Sequence, residues 1–161
     1  MSRSQWEELA EWPQERLDAL LDALGQAGRE ALLHDWAVQA RPEQLPPPGD
    51  WRIWLMLAGR GFGKTRSGAE WVRGIAERDG RARIALVGAT LHDARSVMVE
   101  GESGLLAIAP RWDRPIWHPA LKRLIWKSGA QAMLFGAAEP ESLRGPQFTH
   151  GWADELAKWP Y

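Results

Sequence analysis

The 161-residue chain contains no cysteine. That excludes a disulfide framework and a thiolate metal site, and it is compatible with a reducing cytoplasm, where the protein is expected. No run approaches the ~20 apolar residues of a membrane span, so no membrane association is expected. The first residues, MSRSQWEELAEW, lack the apolar stretch of a secretion signal. Charge of one sign is also missing: 20 basic residues face 21 acidic ones, for a net charge of −1. Any contact with nucleic acid must therefore use a local patch or another domain. There is no internal repeat and no low-complexity segment. The four histidines, His34, His92, His118 and His150, have no metal-ligand spacing and read as structural or surface residues.

What the chain does have is an ordinary globular composition, 45% hydrophobic and 25% charged. Its length suits one domain with a real core. It also has 11 tryptophans, which read as packing residues. Residues 4–40 read as helices. Ser4 and Glu7 form a capping-box pattern, Pro13 suits a helix start, and Leu17, Leu20, Leu21 and Leu24 recur at helical spacing until Gly25 and Gly28. A further helix would carry Leu32, Leu33, Trp36 and Ala37. Residues 41–50 (RPEQLPPPGD) form a Pro-rich connector. The run 51–57 (WRIWLML) suits a buried strand. It leads into a glycine-rich turn and then a helix through about Arg73. Residues 83–87 predict a second buried strand and residues 92–99 a helix. Residues 124–126 and 131–135 predict paired strands around Ser128-Gly129, and residues 149–153 a last, weak strand. Strands alternating with helices predict an α/β fold, a mostly parallel sheet flanked by helices. The expected organisation is an N-terminal helical segment and connector over 1–45 and a core over 46–161.

Chemistry concentrates in residues 58–65, AGRGFGKT. The phosphate-loop pattern is G-x-x-x-x-G-K-[ST]. Gly63, Lys64 and Thr65 fit it, while Ala58 stands where the first glycine is usual. Gly59, Gly61 and Gly63 let the backbone wrap closely and aim its amides at phosphate oxygens. A helix after Lys64 would present its positive end to the same phosphates. Lys64 would neutralise the β and γ phosphates, and the Thr65 hydroxyl would ligate Mg²⁺. ATP with Mg²⁺ is therefore the expected cofactor pair. An incidental glycine-rich turn is the plainer alternative. The dinucleotide pattern G-x-G-x-x-G fails, because from Gly59 its third glycine falls on Lys64.

The segment WRIWLMLAGRGFGKTRSGAEWVR resembles the phosphate-loop region of large terminase subunits of tailed phages and gene transfer agents. Arg60 inside the loop resembles a terminase trait, as do Trp71-Val72-Arg73 and the upstream RPEQLPPPGDW. The segments 95–101 (RSVMVEG) and 142–145 (SLRG) are similar to this family too, so the resemblance covers roughly residues 30–161. It implies a P-loop NTPase fold of the additional-strand catalytic-glutamate type. It also implies an ATP-driven motor that docks on a portal protein with a small terminase subunit, as a homo-oligomer, and moves double-stranded DNA into a capsid.

Asp154 and Glu155 follow Lys64 by 90 and 91 residues. An Asp at a strand end can hold Mg²⁺, and an adjacent Glu can activate the attacking water. A solvated Asp-Glu pair at a helix start is the alternative, and the resemblance favours the catalytic one. Arg60 is the candidate phosphate sensor, with Arg66 beside it in the loop region. Arg95 and Arg144 are candidate fingers or surface arginines. Gln44 stands where related motors read adenine, or is a solvated loop residue. The resemblance further implies that more strands and a nuclease domain follow Glu155, so no nuclease activity and an open sheet edge are expected of residues 1–161. A nucleotide-binding but catalytically impaired interaction module, and another P-loop NTPase, remain competing readings.

Overall fold

A computed structural model describes residues 3–160. The chain divides into two compact units, residues 1–67 and 68–161.

In the first unit, helix α1 (Gln5–Leu9) opens on the expected capping box: the Ser4 hydroxyl accepts from the Glu7 amide and the Glu7 carboxylate accepts from the Ser4 amide. Helix α2 (Gln14–Leu33) starts after Pro13 and is broken at Gly25, whose φ of 62° only glycine adopts cheaply. Helix α3 (Trp36–Gln39) is capped by the Asp35 carboxylate on the Ala37 amide. The Pro-rich connector holds one 3₁₀ turn, Pro42–Gln44. Residues 51–57 correct the sequence reading: they form no strand and pair with none among the described residues. Ile53 and Leu57 are 84% and 85% exposed. An apolar run becomes a buried strand only where a ladder partner takes its amides and carbonyls, and this run has none. Trp51 instead donates its indole N–H to the Pro47 carbonyl at 2.9 Å and meets Trp54 edge-on.

Helix α4 (Lys64–Arg78) begins at the end of the glycine-rich turn and runs into the second unit. There β1 (Arg83–Gly88), β2 (Ile116–His118), β3 (Arg123–Ile125), β4 (Gln131–Gly136) and β5 (His150–Ala153) form one sheet in the order β2-β3-β4-β1-β5. The sheet is mixed, which corrects the expectation of a mostly parallel one. β1 pairs parallel with β4 and β5, whereas β2, β3 and β4 pair antiparallel. The tight turn at Ser128-Gly129 causes this, since so short a connection can only reverse the chain. Gly129 supplies its φ of 99°. The Ser128 hydroxyl donates to the Ala76 carbonyl at 2.7 Å, which pins the turn to the end of α4.

Alternation along the strands sorts the core. Ile84, Leu86, Leu124, Ala132, Leu134 and Trp152 face Ala69, Val72, Ile75 and Ala76 of α4, together with Met98, Val99, Leu105 and Ile108. Ala85, Val87 and Phe135 face the other way, toward Leu143, Phe148 and Trp159. The predicted helix over 92–99 appears as one turn, α5 (Leu91–Asp93), continued by a π-helical stretch, Ala94–Val99. Within α4, Arg73 is buried with its Nε on the Glu70 carboxylate at 2.7 Å and a second bond to Glu77. Its guanidinium pKa is raised: burial lowers it, but the two carboxylates outweigh that loss.

Gly68 lets α4 lie on β5. A Cβ there would sit 2.3 Å from the Trp152 indole, which is buried. Leucine at position 68 gains helix propensity but must displace that ring, so Gly68→Leu is expected to destabilise the protein by about 2–3 kcal/mol. A urea titration checks it, and an unchanged midpoint would place the indole elsewhere.

Candidate functional site

Residues 58–63 leave regular structure, and two of their glycines, Gly61 (φ 78°) and Gly63 (φ 91°), occupy the left-handed region. A Cβ at Gly63 would also come within 2.5 Å of the Gln44 amide nitrogen and displace it. Directly after it α4 starts, so the unsatisfied amides of the helix N-terminus point back over the loop. Lys64 folds its ammonium onto the loop and donates to the carbonyls of Ala58 at 2.7 Å and Gly59 at 2.9 Å. Among the described residues no carboxylate lies within ion-pair distance of it. A cation held by carbonyl dipoles alone, at a helix N-terminus, fits an anionic ligand such as a polyphosphate. Arg60 is exposed on the same loop and Thr65 is half-buried in the first turn of α4.

The connector braces the loop. The buried Gln44 donates its Nε2 to the Phe62 carbonyl at 2.8 Å, and its Oε1 accepts from the Arg41 amide at 2.9 Å. Arg41 Nη2 donates to the same Phe62 carbonyl at 2.8 Å while its guanidinium faces the Phe62 ring. Each end of the Gln44 amide thus makes one bond to backbone. Arg66 reaches back over Trp36 and donates to Gln39 at 3.3 Å. Sequence reasoning missed Arg41; its only signal was its place three residues before Gln44. Gln44→Ala is expected to weaken nucleotide binding roughly tenfold by freeing Phe62. Equilibrium dialysis with labelled nucleotide checks this, and unchanged affinity would reduce Gln44 to a connector residue.

In the second unit the acidic pair lies at the carboxyl end of β5, where α/β sheets offer ligand sites. The Asp154 amide still donates to the Val87 carbonyl at 2.9 Å, so the ladder with β1 fixes it. The Trp159 indole N–H donates to the Asp154 carbonyl at 3.1 Å. Asp154 is half-buried and Glu155 exposed. Glu155 sits at φ 49°, ψ 49°, a left-handed conformation unusual for glutamate. Its carboxylate pairs with Lys158, whose pKa is raised first by that hydrogen bond and then by the Glu155 charge, with smaller help from Asp93 and Asp154. Sequence reasoning missed Lys158, which carried no motif signal. Arg95 is held by Glu100 at 2.9 Å and Arg144 by Glu141 at 2.8 Å. Among the described residues no three His, Asp or Glu side chains gather to hold a metal, and no helix is long and apolar enough to cross a membrane.

The first unit ends in a glycine-rich, lysine-bearing loop at a helix start, and the second is an α/β unit with a mixed five-stranded sheet and a carboxylate pair at a strand end. Residues 55–161 match the family described as terminase large subunit, T4likevirus-type, N-terminal, and the chain belongs to that family. It is thus the N-terminal region of a large terminase subunit, a component of a DNA-packaging motor whose partners are DNA and phage packaging proteins. No curated protein and no solved structure matched.

Proposed function

We propose that the chain binds ATP with Mg²⁺ and hydrolyses it to drive double-stranded DNA into a capsid. The observation that carries this reading is Lys64, an ammonium held by two loop carbonyls with no carboxylate among the described residues to neutralise it. Gly59, Gly61 and Gly63 would wrap the phosphates, and Arg60 and Arg66 would add positive charge. Bound Mg²⁺ would neutralise charge on the β and γ phosphates, with the Thr65 hydroxyl and, through water, Asp154 as its protein-side ligands. Glu155 would take the proton of the attacking water. The oxygen then bonds to the γ phosphorus, the bond to the bridging oxygen breaks, and ADP and phosphate leave. Arg95 or Arg144 would release its carboxylate to stabilise the transferring phosphoryl group, as a finger toward a neighbouring copy. Portal protein, small terminase subunit and a homo-oligomeric ring belong to this proposal, as does a cytoplasmic setting.

Steady ATP turnover that rises with added duplex DNA is the expected result. The Glu155–Lys158 pair favours a second reading, a nucleotide-binding module that turns over poorly because its base is tied up. Binding without turnover in the parent, with turnover appearing in Lys158→Ala, would select it.

A further inference from the structure

The chain carries a net charge of −1, yet residues 111–127 (RWDRPIWHPALKRLIWK) hold five basic side chains and one acidic one. We infer that this segment, built around the edge strand β2, is a surface that grips the phosphate backbone of duplex DNA independently of base sequence. The inference rests on the chain's reading as part of a DNA motor.

The register places the charges. β2 and β3 pair Ile116 with Ile125 and His118 with Arg123. Arg114 and Lys127 therefore project from the two strands at the same end of the ribbon, with Arg111 shortly before them. Lys122 closes the opposite end, in the turn after the 3₁₀ stretch Pro119–Leu121. Five or so residues of strand separate the two ends, roughly 15–20 Å, a length over which duplex DNA presents about ten phosphate charges. Arg111, Arg114, Lys122 and Lys127 are exposed and none of them has an ion-pair partner among the described residues. This contrasts with Arg95 and Arg144, each paired with a nearby glutamate. The single acid, Asp113, is half-buried with its Oδ2 lacking a hydrogen-bond partner, and its charge is felt by Lys127, so it offsets one of the five cations at most. Among the described residues β2 pairs with β3 alone and lies at the edge of the sheet, and Ile116 and Leu121 beside it are 64% and 58% exposed.

Lys122 adds a separate observation. It holds a left-handed φ of 49°, in a turn fixed by its amide on the Pro119 carbonyl and its carbonyl on the Leu134 amide. Glycine would relax this backbone. Backbone bonds hold this turn, and the exposed Lys122 side chain adds its charge to the surface.

The test is fluorescence anisotropy of a labelled 30-base-pair duplex with the whole chain, titrated at several salt concentrations. Nucleotide binding is measured on the same preparations. Arg114→Ala/Lys122→Ala/Lys127→Ala is expected to weaken duplex binding roughly 10- to 100-fold and to lower the slope of log K against log salt by about three. Arg29→Ala/Arg78→Ala/Arg81→Ala, which removes equal charge elsewhere, should leave the slope near the parent's. Lys122→Gly should raise the unfolding midpoint and still lower the slope by about one, a combination that a structural role would not produce. Equal slopes in the two triple variants would overturn the inference, as would tighter binding of a single-stranded 30-mer than of the duplex. A parent that binds nucleotide but no duplex at low salt would refute this surface alone. A parent that binds neither would refute the motor reading with it.

Discussion

Lys64→Ala is expected to weaken Mg²⁺-dependent ATP binding by about 100-fold or more while leaving the fold intact. The magnitude follows from what the ammonium touches. It now satisfies two donors on the carbonyls of Ala58 and Gly59, and a bound triphosphate would exchange those neutral acceptors for anionic oxygens. Charge-assisted bonds of this kind contribute about 1.5–3 kcal/mol each, and two of them at the lower end correspond to roughly 100-fold in affinity. The fold should not suffer, because position 64 is the first residue of α4 and alanine is a good helix former. Lys64→Arg should not restore binding: a planar guanidinium cannot occupy the place of a compact ammonium between two carbonyls of a tight loop. A fluorescent nucleotide titrated into the parent and both variants reads the difference. A dissociation constant for Lys64→Ala within twofold of the parent's would leave the loop a glycine-rich turn with no claim on phosphate.

Sequence signals that are local in origin came through. The capping box at Ser4 and Glu7, the start of α4 at Lys64, the Ser128-Gly129 reversal and the end of β5 just before Asp154 all depend on residues a few positions apart. Signals that need a distant partner did not. Nothing within WRIWLML says whether a ladder partner exists for it, and local hydrophobicity reads the same with or without one. β2 is three residues followed directly by Pro119, too short to show a period, and the π-helical stretch at Ala94–Val99 differs from an α-helix only in its hydrogen-bond offset. At the candidate site the residue types were readable and their restraints were not. The brace of Arg41 and Gln44 on Phe62, and the Lys158 contact on Glu155, join side chains whose meeting depends on turns with no strong sequence signature.

Glu155→Gln is expected to keep nucleotide binding and to lose about 100- to 10,000-fold in turnover, the usual contribution of a positioned general base. Glutamine keeps the shape and removes the charge, and with it both the capacity to accept a proton and the ion pair with Lys158. The backbone supplies a second, independent handle. Glu155 holds φ 49°, a conformation that costs a residue with a Cβ about 1–2 kcal/mol. Glu155→Gly should therefore raise stability by up to about that amount while abolishing turnover as fully as glutamine does. Opposite movements of stability and rate mark a residue kept in a strained place for its chemistry. A residue that merely shaped the turn would lose neither property on becoming glycine. Lys158→Ala completes the comparison. With its partner gone, the Glu155 carboxylate becomes available to water, and turnover should rise in this variant and in no variant that also lacks Glu155. Single-turnover hydrolysis with saturating ATP, set beside urea unfolding of each variant, reads both quantities. If Glu155→Gln hydrolyses ATP at the parent's rate, the proton passes to another group. Asp154, fixed by its amide on Val87 at the same strand end, is then the first residue to substitute.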